Sequence, residues 1–331
     1  MCGKNAGNGE LDMITIKDVA KEAGVSIATV SYVLNGDERI KKQTREKVMA
    51  AAQKLNYVAS GIARSLKKSK TNIIIVFVSN FAGPIYQEIL EKIHLTLKDL
   101  KYRMIVCNGD LAESFLLERQ SDGAIILDPN ITTELLSKAN SFGYPIIDTT
   151  RVINKDYIMD MHINSIDPSY EMISAAINEK HTKIGFMHGN VKSLDNTQRY
   201  EGYLKALNEH QLLPFCVLYG NFTEASGYDE IKKYVLAGNP LPEVLFCSND
   251  EMAVGAMEYL QKHNVKVGQQ IRMIGFDNIE LSKYCKPPLS TIDIDRQEWS
   301  YHIATNIVNL VEGRKFAPYQ TKSQLVRRES F

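Results

Sequence analysis

The chain has 331 residues, of which 44% are hydrophobic and 24% are charged, and its 39 basic side chains balance its 39 acidic ones. This composition is ordinary for a globular protein and excludes wholesale disorder, a collagen-like fibre and a disulfide-rich miniprotein. At roughly 150 residues per domain, the length predicts about two domains with a small extra module. The longest apolar runs, such as residues 73–78, are strand-sized, well short of the ~20 residues that span a membrane.

The zero net charge conceals an uneven distribution along the chain. Residues 13–70 carry 12 lysines and arginines against 5 acidic residues, whereas residues 71–331 carry a net charge of −6. A small basic segment attached to a mildly acidic body is typical of a nucleic-acid-binding module with a second function beside it. A basic helical surface that is merely solvated is the alternative interpretation.

The first residues and the cysteines predict a reduced, cytoplasmic protein. Residues 1–12 are polar and rich in Gly and Asn, which predicts a disordered tail with Met13 as the natural beginning. The start lacks the basic-then-apolar order of a secretory signal. The five cysteines are odd in number and contain no C-x-x-C pair, so a disulfide framework is not indicated.

Three short helices are predicted in the basic segment, over residues 16–23, 27–34 and about 43–55. Gly24 lies where a chain leaving a helix sharply needs a positive φ. Two helices joined by a three-residue turn containing glycine are the signature of a helix-turn-helix. Side chains that can cap the first two helices precede them, namely Thr15 and Ser26. An ordinary three-helix cap is the alternative.

The stretch TIKDVAKEAGVSIATVSYVLNG, followed by KKQTREKVMAAAQKLNY, resembles the DNA-binding head of the LacI/GalR family of bacterial transcription regulators. In that family the second helix enters the major groove, and a homodimer reads a near-palindromic operator in double-stranded DNA. The resemblance places the head at residues 13–58. The residues that it assigns to base edges are Ile27, Ala28 and Tyr32. The other DNA-binding residues that it implies, chiefly at phosphates, are Thr15, Ser26, Thr29, Ser31, Asn35 and Tyr57.

Tyr32 departs from the pattern of the family. Many relatives have Arg at this position, and Arg is the commonest reader of guanine in the major groove. We therefore expect weaker reliance on a guanine there, with Ile27 and Ala28 favouring thymine methyl groups. Packing of Tyr32 on the DNA backbone is an equally open interpretation.

Residues 59–70, ASGIARSLKKSK, match the hinge of the family, which becomes a short helix when two copies meet over the minor groove. By position, Leu66 would be the apolar wedge that is inserted into a central base step, with Ala63 beside it. The usual Pro-Asn pair is replaced by Ala59 and Ser60, so we expect a larger entropic cost of ordering the hinge on DNA. A simple flexible linker is the alternative.

From residue 72 onward, short apolar runs alternate with amphipathic stretches. The predicted strands are 73–78, 103–108, 123–128, 145–150, 157–163, 183–188, 216–221, 243–248 and 271–277. The predicted helices are about 84–100, 112–120, 133–142, 168–179, 196–210, 224–237 and 251–262. This β-α-β alternation predicts an α/β fold of parallel sheets with helices on both faces, arranged in two lobes.

The segments GPIYQEI, DGAIIL, QRYEGYLKAL, FCSNDEMAVGAM and MIGFDNIELS resemble the effector-binding part of the same family, which has the fold of periplasmic sugar-binding proteins. The resemblance implies a first lobe of residues 71–163 and 296–322, and a second lobe of residues 164–295 and 323–331. Ligands bind in the cleft between such lobes. The residues that the resemblance places there are Tyr86, Arg151, Asn164, Arg199, Phe222, Asn249, Asp277 and Arg296.

The chemistry of these side chains suits a polyol, because Arg199, Asn249 and Asp277 offer planar hydrogen-bonding groups and Phe222 offers a face for a sugar ring. The family often has Asp in place of Asn164, which puts that hydroxyl contact in doubt. Arg296 replaces an aromatic residue of some relatives, so we expect a more cationic pocket that accepts a phosphate or carboxylate. The alternative is that Arg199 only forms an ion pair with a neighbouring carboxylate.

The sequence has no phosphate loop, no dinucleotide fingerprint, no nucleophile elbow and no zinc motif, so neither an enzyme, a cofactor nor a metal is predicted. The acids Asp250 and Glu251 are attributed to the dipole of the helix that they open. The sequence thus predicts a repressor that binds operator DNA as a dimer under control of a small-molecule effector, most simply a sugar or sugar derivative. A phosphorylated carrier protein acting as corepressor is the alternative, and a solute-binding protein is a remote one.

Overall fold

The structure is a computed structural model that describes residues 14–58, 70–79, 81, 83–153, 157–316 and 319–331. Its contacts divide the chain into two compact units, residues 1–71 and 72–331. The predicted tail and all of the predicted hinge except Lys70 lie outside the described residues. The finer domain boundaries therefore stay predictions.

The first unit contains three helices around a small apolar core. They are α1 (Ile16–Ala23), α2 (Ile27–Leu34) and α3 (Lys42–Lys54). Val19, Val30 and Val48, one from each helix, are completely buried against one another. The chain leaves α1 through Gly24 at φ 64°, the left-handed conformation that glycine adopts without strain. The predicted third helix is therefore correct within one residue at each end.

The second unit alternates strands and helices as the sequence predicts. Its strands are β1 (Ile73–Val78), β2 (Arg103–Asn108), β3 (Gly123–Leu127), β4 (Ile146–Asp148), β5 (Ile158–Asp160), β6 (Ile184–His188), β7 (Val217–Tyr219), β8 (Val244–Cys247), β9 (Arg272–Ile274), β10 (Thr291–Ile294) and β11 (Ser323–Val326). Its helices are α4 (Pro84–Asp99), α5 (Ala112–Leu117), α6 (Thr133–Ser141), α7 (Ile166–Asn178), α8 (Leu194–Glu209), α9 (Glu224–Leu236), α10 (Asp250–Lys262), α11 (Glu280–Tyr284) and α12 (Arg296–Val311).

Strands β1–β5 form a parallel sheet in the order β2-β1-β3-β4-β5. Alternate residues of β1 point to opposite faces, so Ile74 and Val76 pack with helices α4 and α12, whereas Ile75 and Phe77 pack with α5 and α6. Both faces of the sheet are thereby covered, which explains the continuous apolar runs of its central strands. We call this sheet with helices α4, α5, α6 and α12 the first lobe.

Strands β6–β9 form a second parallel sheet in the order β7-β6-β8-β9. Phe186 and Phe246 pack with helices α7 and α8 on one face, and Met187 and Leu245 pack with α9 and α10 on the other. We call this sheet and helices α7–α10 the second lobe. The carboxyl ends of its strands lead into the loops that line the site described below.

The connection between the lobes contains a feature that sequence periodicity does not predict. Strands β10 and β11 pair antiparallel, and between them helix α12 returns to the first lobe. Trp299, Ile303 and Ile307 of α12 are buried in the same cluster as Ile74. The chain thus crosses between the lobes three times, after β5, after β10 and before β11.

Five predicted elements are at least three residues longer than the observed ones, namely those over residues 112–120, 145–150, 157–163, 216–221 and 271–277. The helix predicted over residues 112–120 ends at Leu117, because Arg119 adopts a positive φ of 53° that no helix can contain. A 3₁₀ turn, Gly109–Leu111, precedes it in the short connection. The strand predicted over residues 157–163 pairs only at residues 158–160, because its neighbour β4 is itself three residues long.

Candidate functional site

The helix-turn-helix is built by local capping as well as by its core. The backbone N–H and the hydroxyl of Thr15 both donate to Asp18 Oδ2, at 2.8 and 2.7 Å, at the start of α1. The backbone N–H of Thr29 donates to Ser26 Oγ at 3.1 Å at the start of α2. These bonds satisfy backbone N–H groups at the helix starts that have no partner within the helix.

Helix α2 buries one side and exposes the other. Val30 and Val33 are buried, whereas Ile27 is 46% exposed, Tyr32 is 44% exposed and Ala28 lies beside them on the solvent side. The residues that the resemblance assigns to base edges therefore share one accessible face. Of the residues assigned chiefly to phosphates, three are exposed, namely Thr15, Ser26 and Asn35, and three are half-buried, namely Thr29, Ser31 and Tyr57.

A contact that the sequence analysis missed lies beside this face. The guanidinium of Arg39 lies over the ring of Tyr32, 5.8 Å from its centroid, and its Nε and Nη2 donate to the two carboxylate oxygens of Asp37. Hydrogen bonds from Arg39 lower the pKa of Asp37 to about 2. The D-x-R spacing in the loop after α2 is the signal that could have suggested this pair. The predicted hinge residues Ala63 and Leu66 lie outside the described residues.

A cavity of about 500 Å³ lies between the two lobes and is lined by residues of both. We call it the interlobe cavity. Six of the eight residues assigned to the cleft line it, namely Tyr86, Arg199, Phe222, Asn249, Asp277 and Arg296. Trp299, the single tryptophan of the chain, lines it from α12. The cavity therefore has a built-in fluorescent reporter.

Arg199 and Asp277 form the polar centre of the cavity wall. Arg199 is 5% exposed, and its Nη2 donates to Asp277 Oδ1 at 3.2 Å while its Nη1 donates to the carbonyl of Ser248. The guanidinium also lies 3.8 Å from the ring centroid of Phe276. A planar guanidinium held on three sides has a fixed direction, which is what recognition of paired hydroxyl or ring-nitrogen groups requires.

Asn249 joins the start of α10 to Phe222, an apolar residue of the cavity lining. Its Oδ1 accepts from the backbone N–H of Met252 at 3.0 Å, and its Nδ2 donates to the carbonyl of Phe222 at 2.9 Å. Phe222 has a φ of 71°. A Cβ on Gly189 would collide with the Phe222 ring, so the glycine leaves room for the ring at the cavity.

Tyr86 and Arg296 bring the first lobe into the site. The Tyr86 hydroxyl lies 3.0 Å from Ser79 Oγ and 3.3 Å from the carbonyl of Leu127, and burial raises the pKa of this hydroxyl. Arg296 is 5% exposed, and its Nε donates to Glu88 Oε2 at 3.0 Å. Its Nη1 is buried and has no hydrogen-bond partner among the described residues. Glu88 thus pairs with one side of this guanidinium, and the expectation of a more cationic pocket stays a prediction.

The structure does not bring Arg151 and Asn164 into the lining. Arg151 forms an ion pair with Asp148 at 3.1 Å and donates to the carbonyl of Pro129. Asn164 Oδ1 accepts from the backbone N–H of Ile166, so the side-chain oxygen of Asn164 is occupied by a hydrogen bond at the start of α7. Two carboxylates that the sequence analysis left aside do line the cavity, namely Asp195 and Glu251.

Asp250, which was attributed to a helix dipole, has a different role. It is completely buried, where Oδ2 accepts from the backbone N–H of Ile279 at 2.9 Å and Oδ1 accepts from Thr291 Oγ1 at 2.5 Å. Burial raises its pKa to about 8, and nearby Asp277 adds to the rise. The dipole interpretation is therefore corrected, because Asp250 fastens the loop that carries Asp277.

Replacing Asp250 by Asn should make folding stability less sensitive to pH. An acid whose pKa is higher in the folded state than its unfolded value of 3.8 favours folding when protonated, and this contribution is lost as the pH rises toward about 8. Asn retains the shape and stays neutral, so Asp250→Asn should gain stability relative to the wild type from pH 5 to pH 8. Urea unfolding at pH 5 and at pH 8, followed by Trp299 fluorescence, measures this difference in the free energy of unfolding.

Glu258→Gln, at an exposed site on the same helix, is the control. Equal pH dependence of stability in Asp250→Asn and the wild type would contradict the role assigned to Asp250.

Within the described residues, no group of three or more His, Cys, Asp or Glu side chains could hold a metal ion. None of the described helices combines the length and apolarity that crossing a bilayer demands.

Comparison with known proteins identifies the family. Residues 15–60 match the model of bacterial regulatory proteins of the lacI family, and residues 173–331 match that of the periplasmic binding protein-like domain. The HTH-type transcriptional repressor PurR of Haemophilus influenzae (strain PittEE) is 34% identical over 292 residues, which cover 85% of this chain and 86% of that protein. The chain belongs to the LacI/GalR family. It is a DNA-binding transcriptional repressor of that family and not an enzyme.

Solved structures of family members share the architecture. The lac repressor dimer bound to operator and the anti-inducer ONPF superposes with a TM-score of 0.83 at 25% identity, covering 96% of this chain and 98% of that one. A sugar-binding regulator of the LacI family from Enterococcus faecalis superposes with a TM-score of 0.73 at 32% identity, covering 79% and 98%. The predicted family and fold class are thus confirmed.

Proposed function

We propose that this LacI/GalR family repressor is controlled by a small polar molecule that binds in the interlobe cavity. The observation that carries the proposal is the buried Arg199–Asp277 pair at the wall of a cavity lined by both lobes. Together with the Asn249 amide and the Phe222 ring, this pair suits a ligand with several hydroxyl or ring-nitrogen groups on a flat or ring-shaped body. Sugars, sugar derivatives and nucleosides have that chemistry.

The DNA partner follows from the first unit. The exposed face of α2 with Ile27, Ala28 and Tyr32 would enter the major groove, and the capped start of the helix would lie against phosphates. The lac repressor neighbour was solved as a dimer on its operator, which supports a homodimer on a palindromic site here. On this proposal the protein works in the bacterial cytoplasm, on double-stranded operator DNA.

Control would act through the three crossings between the lobes. A ligand that contacts Tyr86 on the first lobe and Arg199 on the second changes the relative free energy of open and closed arrangements of the lobes. To alter operator binding it needs only a differential affinity, on the order of 1–3 kcal/mol, for the DNA-binding and non-binding states.

A thermal-shift screen of the full chain against sugars, sugar phosphates, nucleosides, nucleobases and amino acids tests the proposal. A ligand at about 100 times its dissociation constant should stabilise the protein by about 2.7 kcal/mol, which is several degrees in melting temperature. A true hit should also change Trp299 fluorescence and be lost in Arg199→Ala. Silence across the panel with operator binding intact would instead favour a protein corepressor, such as a phosphorylated carrier protein.

A further inference from the structure

The loop between α2 and α3, residues 35–41, places a guanidinium beside the exposed face of α2. The guanidinium of Arg39 in this loop lies 5.8 Å from the centroid of the Tyr32 ring, close enough for a cation–π contact. Tyr32 and Ile27 are both exposed on α2. Arg39 therefore borders the face of α2 that would meet base edges in the major groove.

The direction of the Arg39 side chain is fixed by a single carboxylate. Its Nε and Nη2 donate to Asp37 Oδ1 and Oδ2, at 2.9 and 2.6 Å, and its backbone N–H donates to Asp37 Oδ1 at 3.0 Å. The Arg39 side chain is nevertheless 81% exposed. An exposed arginine ordinarily samples many rotamers. Here the orientation is set before DNA binds, which lowers the entropic cost of ordering this side chain at an interface.

Asp37 is itself tied to both neighbouring helices. Its backbone N–H donates to the carbonyl of Tyr32 at 3.0 Å, and its own carbonyl accepts from Arg45 Nη2 of α3 at 3.0 Å. Ile40 of the same loop packs against the apolar core of the first unit. The loop thus holds the Arg39 guanidinium at a defined place relative to α2. Since exposed ion pairs contribute little to stability, orientation is the main consequence of the Asp37–Arg39 pair.

The outer edge of the guanidinium remains available to a partner. Asp37 accepts one N–H of Nε and one of Nη2, so of the five N–H donors of an arginine side chain three remain. Arg39 has no further hydrogen-bond acceptor among the described residues. The Nη1 and Nη2 atoms therefore present two neighbouring donors, the arrangement that matches the O6 and N7 acceptors of guanine in the major groove.

The carboxylate of Asp37 favours a base over a phosphate as the partner of this edge. A phosphate attracts a cation in many orientations, and a carboxylate beside the cation weakens that attraction. A base edge instead requires a pair of donors with a fixed direction, which the bidentate bonds to Asp37 provide. The arrangement gives up net positive charge and gains orientation, as recognition of a base requires.

We propose that Arg39 is a specificity-determining residue that binds one guanine in each half of the operator, and that Asp37 is its positioning residue. This inference rests on the proposed function, because it requires α2 to enter the major groove. On this inference a preference for guanine comes from the loop after α2 and not from residue 32.

Selection of sites from random double-stranded DNA by the full chain tests the assignment. The wild type should select a palindromic site with one guanine, repeated by symmetry, that it prefers over the other bases by about tenfold or more. Arg39→Ala should lose that preference and retain the preferences at the other positions of the site. Lys54→Gln, which breaks an exposed ion pair with Glu22 in the same unit, is the control and should retain them all.

Asp37→Asn separates positioning from charge. The substitution removes one negative charge beside the DNA, so the affinity for unrelated DNA should rise. The preference for the guanine should nevertheless fall toward that of Arg39→Ala, because the guanidinium is no longer held by a carboxylate. Opposite changes in affinity and in base preference would not arise if Asp37 and Arg39 acted only through their charges.

Two results would overturn the inference. One is a uniform loss of affinity in Arg39→Ala with every base preference unchanged, which is the behaviour of a phosphate contact. The other is an unchanged guanine preference in Asp37→Asn. Either result leaves the proposed function standing if the wild type still selects a palindromic site. A wild type that selects no sequence at all would contradict the proposed function and this inference together.

Discussion

Replacing Arg199 by alanine is expected to lower the free energy of unfolding of the second unit by about 3–5 kcal/mol, the usual result of removing one partner of a buried ion pair. The substitution leaves the Asp277 carboxylate without its guanidinium in a cavity that already contains Asp195 and Glu251. It also removes the contact with the Phe276 ring. The same variant should lose its response to the effector.

Urea unfolding followed by Trp299 fluorescence measures this change, because the indole is buried in the first-lobe core and its Nε1 donates to the carbonyl of Met161 at 2.9 Å. Lys283→Ala, which removes an exposed ion pair with Glu280, should leave the free energy of unfolding nearly unchanged, because solvent screens such a pair. Adding Asp277→Asn to Arg199→Ala should restore part of the stability. A decrease below about 1 kcal/mol for Arg199→Ala would contradict the assigned electrostatics.

Raising the salt concentration from 50 to 200 mM should weaken operator binding by roughly 10³–10⁵-fold, if the dimer neutralises ~6–10 phosphates. Residues 13–70 carry a net charge of +7, whereas the acidic remainder of the chain repels DNA. Binding therefore depends on release of counterions by the basic head, and the logarithm of the affinity should fall linearly with the logarithm of the salt concentration.

Charge variants locate the surface responsible. Lys41→Gln and Lys42→Gln, at the exposed start of α3, should each reduce the magnitude of that slope by about one for every phosphate that the variant no longer neutralises. Lys262→Gln, on α10 in the second unit, should leave it unchanged. An affinity that is insensitive to salt would refute the assigned DNA surface.

Most of the fold could be predicted because it depends on local patterns. Helices α1 and α2 and strands β1 and β2 have the predicted bounds, since caps, a glycine turn and continuous apolar runs are visible within a few residues of sequence. Helix α5 is shorter than predicted because Arg119 has a positive φ. Nothing in the sequence indicates a positive φ at this non-glycine residue.

The site could be predicted only in part, because its electrostatics arise between residues that are far apart in the sequence. Glu88 and Arg296 are 208 residues apart, so nothing near Arg296 shows that its charge is already paired. Asp195 and Glu251 look like ordinary acids at helix starts until the cavity around them is seen. The sequence likewise does not distinguish Asp250 from the adjacent Glu251, because only the burial of Asp250 in the structure separates their roles.

Control of DNA binding by the interlobe cavity is tested by the affinity of the dimer for operator DNA, measured with and without a ligand that binds this cavity. We predict a change of about 5–150-fold, in either direction, that disappears in Arg199→Ala. A ligand that occupies the cavity, alters Trp299 fluorescence and leaves operator affinity unchanged would contradict it.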